Sequence, residues 1–455
     1  MLWDPPVKSG TQVYLYLRNP PFLRAPALIA TPSPHPLRYH CVYRVWAADF
    51  PSAAVPVVCV SRLFQRLVFG VSLAIIAVLG LGYVLGELGW IGVHAGDDQD
   101  AAYRQMRVYA EVLRKIQNFY VTDPNIPGVT NGALHGLLDS LDPDSSYLSA
   151  AEYKIYKDRP ATDNAQVGIT VSKRYGYATI VNVLPGSPAA LAHLRDGDVI
   201  DLIEGQSTHD TPLALVRYML EGKPGTTVAI SVVRPFKPDP DKITLTRAVL
   251  AAPPLGEQFY ENATILYLKP GVLTAARVDD IAARIKGAGK GRKILLDLRD
   301  TTGSDPVQGL RLANFFIKQG TLATLEGQKF PAQTFAADPA QCLTDSPVAV
   351  LVDRGTYGAP ELTAAAIEGL KRGDVIGERT FGEGSVQKTI DLPDGGALML
   401  TVAKYEGPGG KKIEDDAVTP TVVVAGPEDS EEPMPPSNGD EQLNQALALL
   451  KSKTS

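Results

Sequence analysis

The chain has 455 residues, of which 45% are hydrophobic and 21% charged, enough for about three globular domains of ~150 residues. Its 44 basic and 50 acidic residues give a net charge of −6, and no basic block with interleaved aromatic residues occurs, which disfavours nucleic acid as a partner. The cysteines, Cys41, Cys59 and Cys342, are far apart and histidines number only 6, so the sequence predicts neither a disulfide framework nor a metal site, and no cofactor is expected.

The N-terminal part predicts a membrane anchor. Residues 1–60 are rich in proline and show no helical or strand period, so no domain is expected there. Leu67 to Leu85, within the predicted anchor 61–86, contains no charged residue and has close to the ~20 residues that a spanning helix needs. Arginines precede it and acidic residues follow it, which predicts a single-pass protein of the inner (cytoplasmic) membrane with its bulk in the periplasm. A cleaved signal peptide is the alternative.

Residues 97–160 predict a helical segment. From Tyr103 to Tyr120 apolar residues recur near the 3.6-residue period of an amphipathic helix, and a second helix is expected from Val129 to Leu141. The run Asp142-Pro143-Asp144-Ser145-Ser146 predicts the turn that ends it.

Residues 161–236 predict a compact module of short strands with one helix, Pro212 to Leu220. Three ordered motifs make it resemble a PDZ domain of bacterial proteases. The motifs are Val167-Gly168-Ile169-Thr170-Val171, Leu184-Pro185-Gly186-Ser187-Pro188-Ala189-Ala190 and Asp196-Gly197-Asp198-Val199-Ile200.

The resemblance implies a binding site for protein C-terminal peptides. In such a site a peptide adds as a strand to a sheet edge, and backbone N–H groups of a glycine-containing loop hold its carboxylate. The resemblance assigns the loop and edge to Val167, Gly168, Ile169, Thr170 and Val171. It assigns the opposite wall to Leu213, Val216 and Leu220, which share one helix face. Alternatively, these three side chains fill the module's own core.

From 237 to 427 strand-like runs alternate with helical stretches, the pattern of an α/β layer fold. An acidic, proline-rich linker and a short closing helix are expected from 428 to 455.

Residues 103–455 resemble the carboxyl-terminal processing peptidases, family S41, which use a Ser/Lys dyad. The resemblance rests on Leu141-Asp142-Pro143-Asp144-Ser145-Ser146-Tyr147-Leu148, the PDZ-like module, Asp297-Leu298-Arg299, Phe381-Gly382-Glu383-Gly384-Ser385-Val386-Gln387, Asp394-Gly395-Gly396-Ala397-Leu398 and Ala403-Lys404-Tyr405. It implies a mixed α/β (α+β) fold in which the PDZ domain is inserted into a crotonase/ClpP-like peptidase core.

Both dyad positions are substituted. Where the family has Gly-Ser-Ala-Ser-Ala-Ser-Glu, this chain has the segment from Gly355 to Glu361, so Gly358 stands at the nucleophile position. Glu383 stands where the family has its general-base lysine, whereas Gln387, which resembles the family's orienting residue, is retained. A dyad needs a hydroxyl and a neutral amine within hydrogen-bond reach, so this chemistry is predicted to be lost.

The resemblance assigns the oxyanion donors to the backbone N–H groups of Gly303 and Ala359. The loop around Gly303 departs from the family's Asn-Asn-Pro-Gly-Gly, which puts that oxyanion hole in question. A relocated nucleophile, Thr356 or Ser385 with Glu383 as base, is the alternative that would keep a serine-type endopeptidase active.

The leading hypothesis is a membrane-anchored pseudopeptidase that binds protein C-termini or pairs with an active relative. A scaffold without a peptide ligand is a further alternative.

Overall fold

In the computed structural model, the described residues are 70–71, 97–160, 164–174, 176–234, 239–289, 291–426 and 439–453. The predicted anchor 61–86 lies outside them except for Gly70 and Val71, and so does the proline-rich region 1–60. Among the helices that are described, none is both long and apolar enough to cross a membrane. Residues 100–455 form one compact unit.

The segment 97–160 is mainly helical and confirms the two predicted helices. Its elements are α1 Asp97–Phe119, α2 Ile126–Asp139, β1 Ser146–Leu148 and α3 Ala150–Lys157. The turn after α2 is closed by Asp142, whose carboxylate accepts hydrogen bonds from the backbone N–H groups of Asp144 and Ser145. Ser149 and Glu152 then form a capping box that starts α3.

The PDZ-like module is a small antiparallel sheet with a helix packed beside it. Its elements are β2 Ala165–Gln166, β3 Ile169–Arg174, β4 Tyr177–Val183, α4 Pro188–Leu191, β5 Val199–Ile203, β6 Gln206–Ser207, α5 Leu213–Leu220, β7 Glu221–Gly222, β8 Thr227–Val233 and β9 Asp241–Thr246. The strand order β3-β4-β5-β8-β9 leaves β3 at an edge. Because β9 forms a hairpin with β8, the sheet continues to Thr246, beyond the predicted boundary at residue 236.

The remaining elements build the core. In chain order they are β10 Gly256–Tyr260, β11 Ile265–Lys269, α6 Ala275–Gly287, β12 Lys293–Asp297, β13 Thr302–Gly303, α7 Pro306–Asn314, β14 Thr321–Glu326, β15 Gln333–Ala336, the 3-10 helix Pro339–Gln341, β16 Val348–Val352, β17 Tyr357–Gly358, α8 Ala359–Gly369, β18 Asp374–Gly377, β19 Ser385–Asp391, β20 Ala397–Gly407, β21 Lys411–Lys412, α9 Ile413–Asp416, β22 Val422–Val423 and α10 Glu441–Ser452.

One core sheet is mostly parallel and positions the site. Its order is β10-β11-β12-β16-β18-β22, and only β10 is antiparallel to its neighbour. Strand β16 is buried at every residue, as expected for a parallel strand covered on both faces. Since parallel neighbours end at the same sheet edge, the loops after β12 and β16 are brought together there.

The second core sheet is antiparallel and carries the other half of the site. Strand β20 pairs with β1, β14, β19 and β21, so it joins the N-terminal segment to the core. Strand β19 begins at Ser385, two residues after the predicted base position, Glu383.

The closing helix α10 packs against the parallel sheet through Ala446 and Leu450, which are both fully buried. Arg299 fixes its start, because its guanidinium forms ion pairs with the buried Asp297 and with Asp440, each at 2.7 Å.

Candidate functional site

The loops after β12 and β16 meet at the predicted nucleophile position. Thr302 pairs with Tyr357 and Gly303 with Gly358 in a two-residue parallel ladder. Ala359 is the first residue of α8, and a Cβ atom placed on Gly303 would lie 2.9 Å from its Cβ atom. The structure thus brings together Gly358, Gly303 and Ala359.

The backbone leaves no room for a side chain at residue 358. Gly358 has φ 75° and ψ −120°, a conformation that favours glycine. A Cβ atom placed there would lie 2.4 Å from the carbonyl oxygen of Gly303. The Gly303 carbonyl oxygen, a hydrogen-bond acceptor, therefore points to the place where the nucleophile's side chain would start. An oxyanion hole needs the opposite kind of group, N–H donors aimed at the reacting oxygen.

One buried carboxylate holds the two dyad positions side by side. Glu361, fully buried in α8, accepts hydrogen bonds through Oε1 from the backbone N–H groups of Gly358 at 2.9 Å and Glu383 at 2.8 Å. Its Oε2 accepts from the Thr380 hydroxyl at 2.5 Å and the Gly382 N–H at 2.6 Å. Burial raises the pKa of Glu361 to about 7, although these four bonds oppose the shift. The local framework therefore depends on Glu361 and not on the side chains at 358 and 383.

At the base position the Glu383 carboxyl accepts hydrogen bonds from two hydroxyl groups. The Tyr357 phenol donates to Oε2 at 2.9 Å and the Ser385 hydroxyl to Oε1 at 3.0 Å. Burial, followed by the negative charges of Asp144 and Glu414, raises the pKa of Glu383 to about 8. Burial also raises the pKa of the Tyr357 phenol well above its usual value. Both shifts favour the protonated form of each group at neutral pH.

Gln387 remains beside this pair. Its side-chain N–H donates to the Ser385 hydroxyl at 2.5 Å. In contrast, the Thr356 hydroxyl is fully buried and bonds to the Leu298 carbonyl at 2.9 Å and to Asp353. Of the two relocated nucleophiles considered, only Ser385 therefore lies within hydrogen-bond reach of Glu383 in the structure.

The PDZ-like module contacts this cleft directly through α5. A guanidinium N–H of Arg217 donates to the Tyr357 hydroxyl at 3.3 Å, and the same group forms an ion pair with the buried Asp144 at 3.0 Å. Arg174 from β3 lies over the Phe381 ring at 5.0 Å, and that ring packs on Tyr357. A cavity of about 370 Å³ opens beside Arg217 and Gln387. The module and the cleft are thus joined by charged and aromatic contacts.

The predicted peptide groove is partly occupied by the protein itself. Arg217 donates to the backbone carbonyl of Val171 at 3.3 and 3.4 Å, on β3 at the sheet edge. Gly168, with φ 88°, opens the predicted carboxylate loop, and Ile169 and Thr170 are half-buried. The remaining predicted residues, with exposures of 4% or less, belong to the module's core: Val167, Val171, Leu213, Val216 and Leu220. The alternative that the three helix residues fill the core therefore fits the observed packing.

Sequence reasoning missed Tyr357, Glu361 and Arg217. Tyr357 and Glu361 lie in the segment from Gly355 to Glu361, on either side of the substituted nucleophile position, Gly358. Glu361 could have been found as an acidic residue in the first turn of a helix, where backbone N–H groups need acceptors. Arg217 follows Val216 directly, and no local pattern signals its contact with a residue so distant in sequence.

The raised pKa of Glu383 predicts an unusual pH dependence of stability. Unfolded Glu383 ionises near pH ~4.3, whereas the folded residue keeps its proton to about pH 8, so its contribution to stability falls as pH rises through this window. Glu383→Gln, which mimics the protonated form, is expected to gain roughly 1–3 kcal/mol at pH 9 and much less at pH 5. Chemical unfolding at both pH values measures this. An equal effect of the substitution at both would contradict it, and Glu368→Gln on the surface of α8 serves as the control.

Among the described residues, no group of three or more His, Cys, Asp or Glu side chains is arranged to hold a metal ion.

Comparison with known proteins gives two family matches. Residues 263–424 match peptidase family S41, and residues 165–246 match the PDZ domain. The matches lie in the core and in the inserted module, respectively.

Individual relatives extend the similarity over most of the chain. A carboxy-terminal-processing protease of Bartonella bacilliformis is 28% identical over 338 residues, covering 73% of this chain and 77% of the relative. A carboxyl-terminal-processing protease of Picosynechococcus is 30% identical over 329 residues, covering 70% of this chain and 78% of the relative. Among solved structures, the photosystem II D1 C-terminal processing protease superposes with a TM-score of 0.57 at 24% identity, covering 70% of this chain and 92% of that one, and shares the fold.

Proposed function

The chain belongs to peptidase family S41, the family of the carboxyl-terminal processing proteases, and on that premise we propose that it is a pseudopeptidase that binds protein C-termini through its PDZ domain. The observation that carries the proposal is the state of residue 358. It has no side chain, and the Gly303 carbonyl lies where one would begin. The attacking oxygen of the dyad and the room for it are both missing.

The replacement of the base supports the same reading. Glu383 and Tyr357 are both departures from the family's motif, and they complement each other, because the phenol donates to the carboxyl. Arg217 adds a donor to the same phenol. This set of side chains suits a static contact between the PDZ domain and the core better than proton transfer. The raised pKa values of Glu383 and Tyr357 favour their protonated forms at neutral pH, and a protonated group cannot act as a base.

Peptide binding is expected at the open edge of β3. A peptide strand added there would use the β3 backbone groups, and its carboxylate would lie at the loop beginning with Val167 and Gly168. In the structure the Arg217 guanidinium donates to the Val171 carbonyl on that edge, so the peptide has to displace the Arg217 side chain. The ligand therefore competes with the contact that ties the PDZ domain to Tyr357.

The test combines binding and cleavage on the fragment of residues 97–455. Fluorescence anisotropy is expected to detect binding of peptides with small apolar C-termini, and amidation of the terminal carboxyl is expected to abolish it. Arg217→Ala is expected to tighten binding about 2- to 10-fold, since it removes a competing bond worth ~0.5–1.5 kcal/mol, whereas the exposed Arg195→Ala is a neutral control. An unfolded protein incubated with the fragment is expected to stay uncut by mass spectrometry. Time-dependent cleavage refutes the inactivity, and absence of binding refutes the PDZ role and favours a scaffold.

A second function is favoured by one observation. Ser385 donates to Glu383 at 3.0 Å and receives a bond from Gln387, which is the arrangement of a relocated serine nucleophile. An active serine-type endopeptidase of this kind predicts fluorophosphonate labelling that disappears in Ser385→Ala. The pseudopeptidase predicts no label in either protein.

We also propose that the uncharged run from Leu67 to Leu85 anchors the chain in the cytoplasmic membrane, with the PDZ domain and core on the extracytoplasmic side. In that compartment we propose an active peptidase relative as a partner of the inactive cleft.

A further inference from the structure

The end of strand β3 carries two basic residues in different surroundings. Lys173 is buried, and its ammonium group lies 3.4 Å from the Asp139 carboxylate and 3.3 Å from the backbone carbonyl of His209. Arg174, the last residue of the strand, is exposed. Its guanidinium lies over the Phe381 ring at 5.0 Å, and no carboxylate in the described part of the chain forms an ion pair with it. Arg174 is therefore the basic side chain at this end of β3 whose charge is available to a ligand.

The ring under Arg174 positions the guanidinium where the PDZ domain meets the core. Phe381 is half-buried and packs on Tyr357, with the two ring centroids 5.2 Å apart, so the core holds it in place. A guanidinium over an aromatic face is attracted by the quadrupole of the ring, which restricts an otherwise flexible side chain. The charge of Arg174 is thus in place before a ligand binds, and less side-chain entropy is lost on binding.

The direction of a bound peptide follows from the place proposed for its carboxylate. That place is the loop beginning with Val167 and Gly168, at the start of β3. A peptide strand on the β3 edge whose last residue lies beside Ile169 therefore runs antiparallel to β3, and its preceding residues lie along the rest of β3. With the C-terminal residue counted as 0, the peptide residue at −5 lies opposite Arg174. Residues directly opposite each other in paired strands point to the same face, so the side chain at −5 lies beside the guanidinium.

We propose that Arg174 selects peptides that carry an acidic side chain five residues before their C-terminal residue. The inference rests on the peptide binding proposed above and adds a second recognised feature to the C-terminus. A carboxylate at −5 accepts charge-assisted hydrogen bonds from the guanidinium, whereas a lysine there is repelled. The carboxylates of Asp139 and Asp144 are already paired, with Lys173 and with Arg217 respectively, so the positive charge of Arg174 is left for the ligand.

The first test moves one glutamate along the peptide. Peptides of about ten residues share the same small apolar C-terminus, and each carries Glu, Gln or Lys at one position from −2 to −8. Fluorescence anisotropy with the fragment of residues 97–455, which contains the compact unit 100–455, measures their affinity. Glu at −5 is expected to bind about two- to fivefold more tightly than Gln, as for an exposed ion pair, and Lys more weakly. An equal preference for Glu at every position, or tighter binding of Lys at −5, overturns the proposal.

The second test assigns the preference to Arg174. Arg174→Gln is expected to bind the Glu and Gln peptides equally, and Arg174→Glu is expected to prefer Lys at −5. Arg195→Gln changes an exposed arginine elsewhere in the PDZ domain and, as the matched control, is expected to keep the native preference. Because each variant is compared on both peptides, a general loss of affinity cancels. A preference for Glu that survives Arg174→Gln overturns the proposal. If no peptide binds the native fragment, the proposed peptide binding itself fails, and this inference fails with it.

Discussion

The double variant Gly358→Ser, Glu383→Lys is expected to remain without peptidase activity and to be less stable than the native chain. At Gly358 a side chain has to adopt φ 75°, which costs of order 1–3 kcal/mol. Its Cβ atom also meets the Gly303 carbonyl oxygen at 2.4 Å, and overpacking of this kind costs roughly 1–3 kcal/mol more. Unless the Gly303 peptide moves, the new hydroxyl cannot reach the geometry of a nucleophile. Thermal unfolding and mass-spectrometric digestion of an unfolded protein measure both effects.

Single variants separate the causes. Gly358→Ala is expected to lose about as much stability as Gly358→Ser, because both add the Cβ atom and only one adds the hydroxyl. Glu383→Lys removes the acceptor of the Tyr357 phenol but places a cation near Asp144 and Glu414, so its effect on stability is expected to be smaller. Cleavage by the double variant but not by the native chain would contradict this expectation. It would show that the Gly303 loop moves to make room for the serine and that the two substitutions alone explain the lost activity.

The sequence predicted those elements whose burial pattern is simple. Helix α1 follows from one apolar stripe, and β16 from a continuous apolar run. The strands β14, β15, β19 and β20 were not identified, although β14 pairs with β15 and β19 with β20 across short connections. The residues of β20 are mostly half-buried, and its sequence follows a short apolar run, Ala397 to Leu400, with mixed polar and apolar positions, so no single strand pattern extends over its length.

For the site, motif spacing identified residues 358, 383 and 387, but not what surrounds them. The direction of the Gly303 carbonyl is set by the short ladder between β13 and β17, a tertiary contact that leaves no trace in composition or period. The contact of Arg217 with Tyr357 joins two domains. Each of these features depends on how two chain segments, distant in sequence, are placed relative to each other. A local sequence pattern describes only one segment, so it cannot predict such a contact.

Loss of the Glu361 carboxylate is expected to cause the largest destabilisation of the site. Glu361→Ala leaves four donors without their acceptor: the N–H groups of Gly358, Gly382 and Glu383 and the Thr380 hydroxyl. Each buried unsatisfied donor costs ~1–3 kcal/mol, so the total loss is expected to exceed about 4 kcal/mol after partial relaxation. Glu361→Gln keeps one acceptor oxygen but turns an N–H group toward donors, and is expected to lose about half as much. Urea unfolding measures both.

Hydrogen exchange distinguishes this role from general packing. If Glu361 ties the two loops together, Glu361→Gln is expected to accelerate exchange at Gly382 and Glu383, while the distant strand β16 keeps its protection. Glu368→Gln is the matched control, since Glu368 is in the same helix and pairs with Lys411 near the surface at 2.8 Å, an interaction worth ~0–1 kcal/mol. Unchanged exchange in the 380–384 loop would mean that the PDZ contacts through Arg217 and Arg174, rather than the buried carboxylate, hold the base position in place.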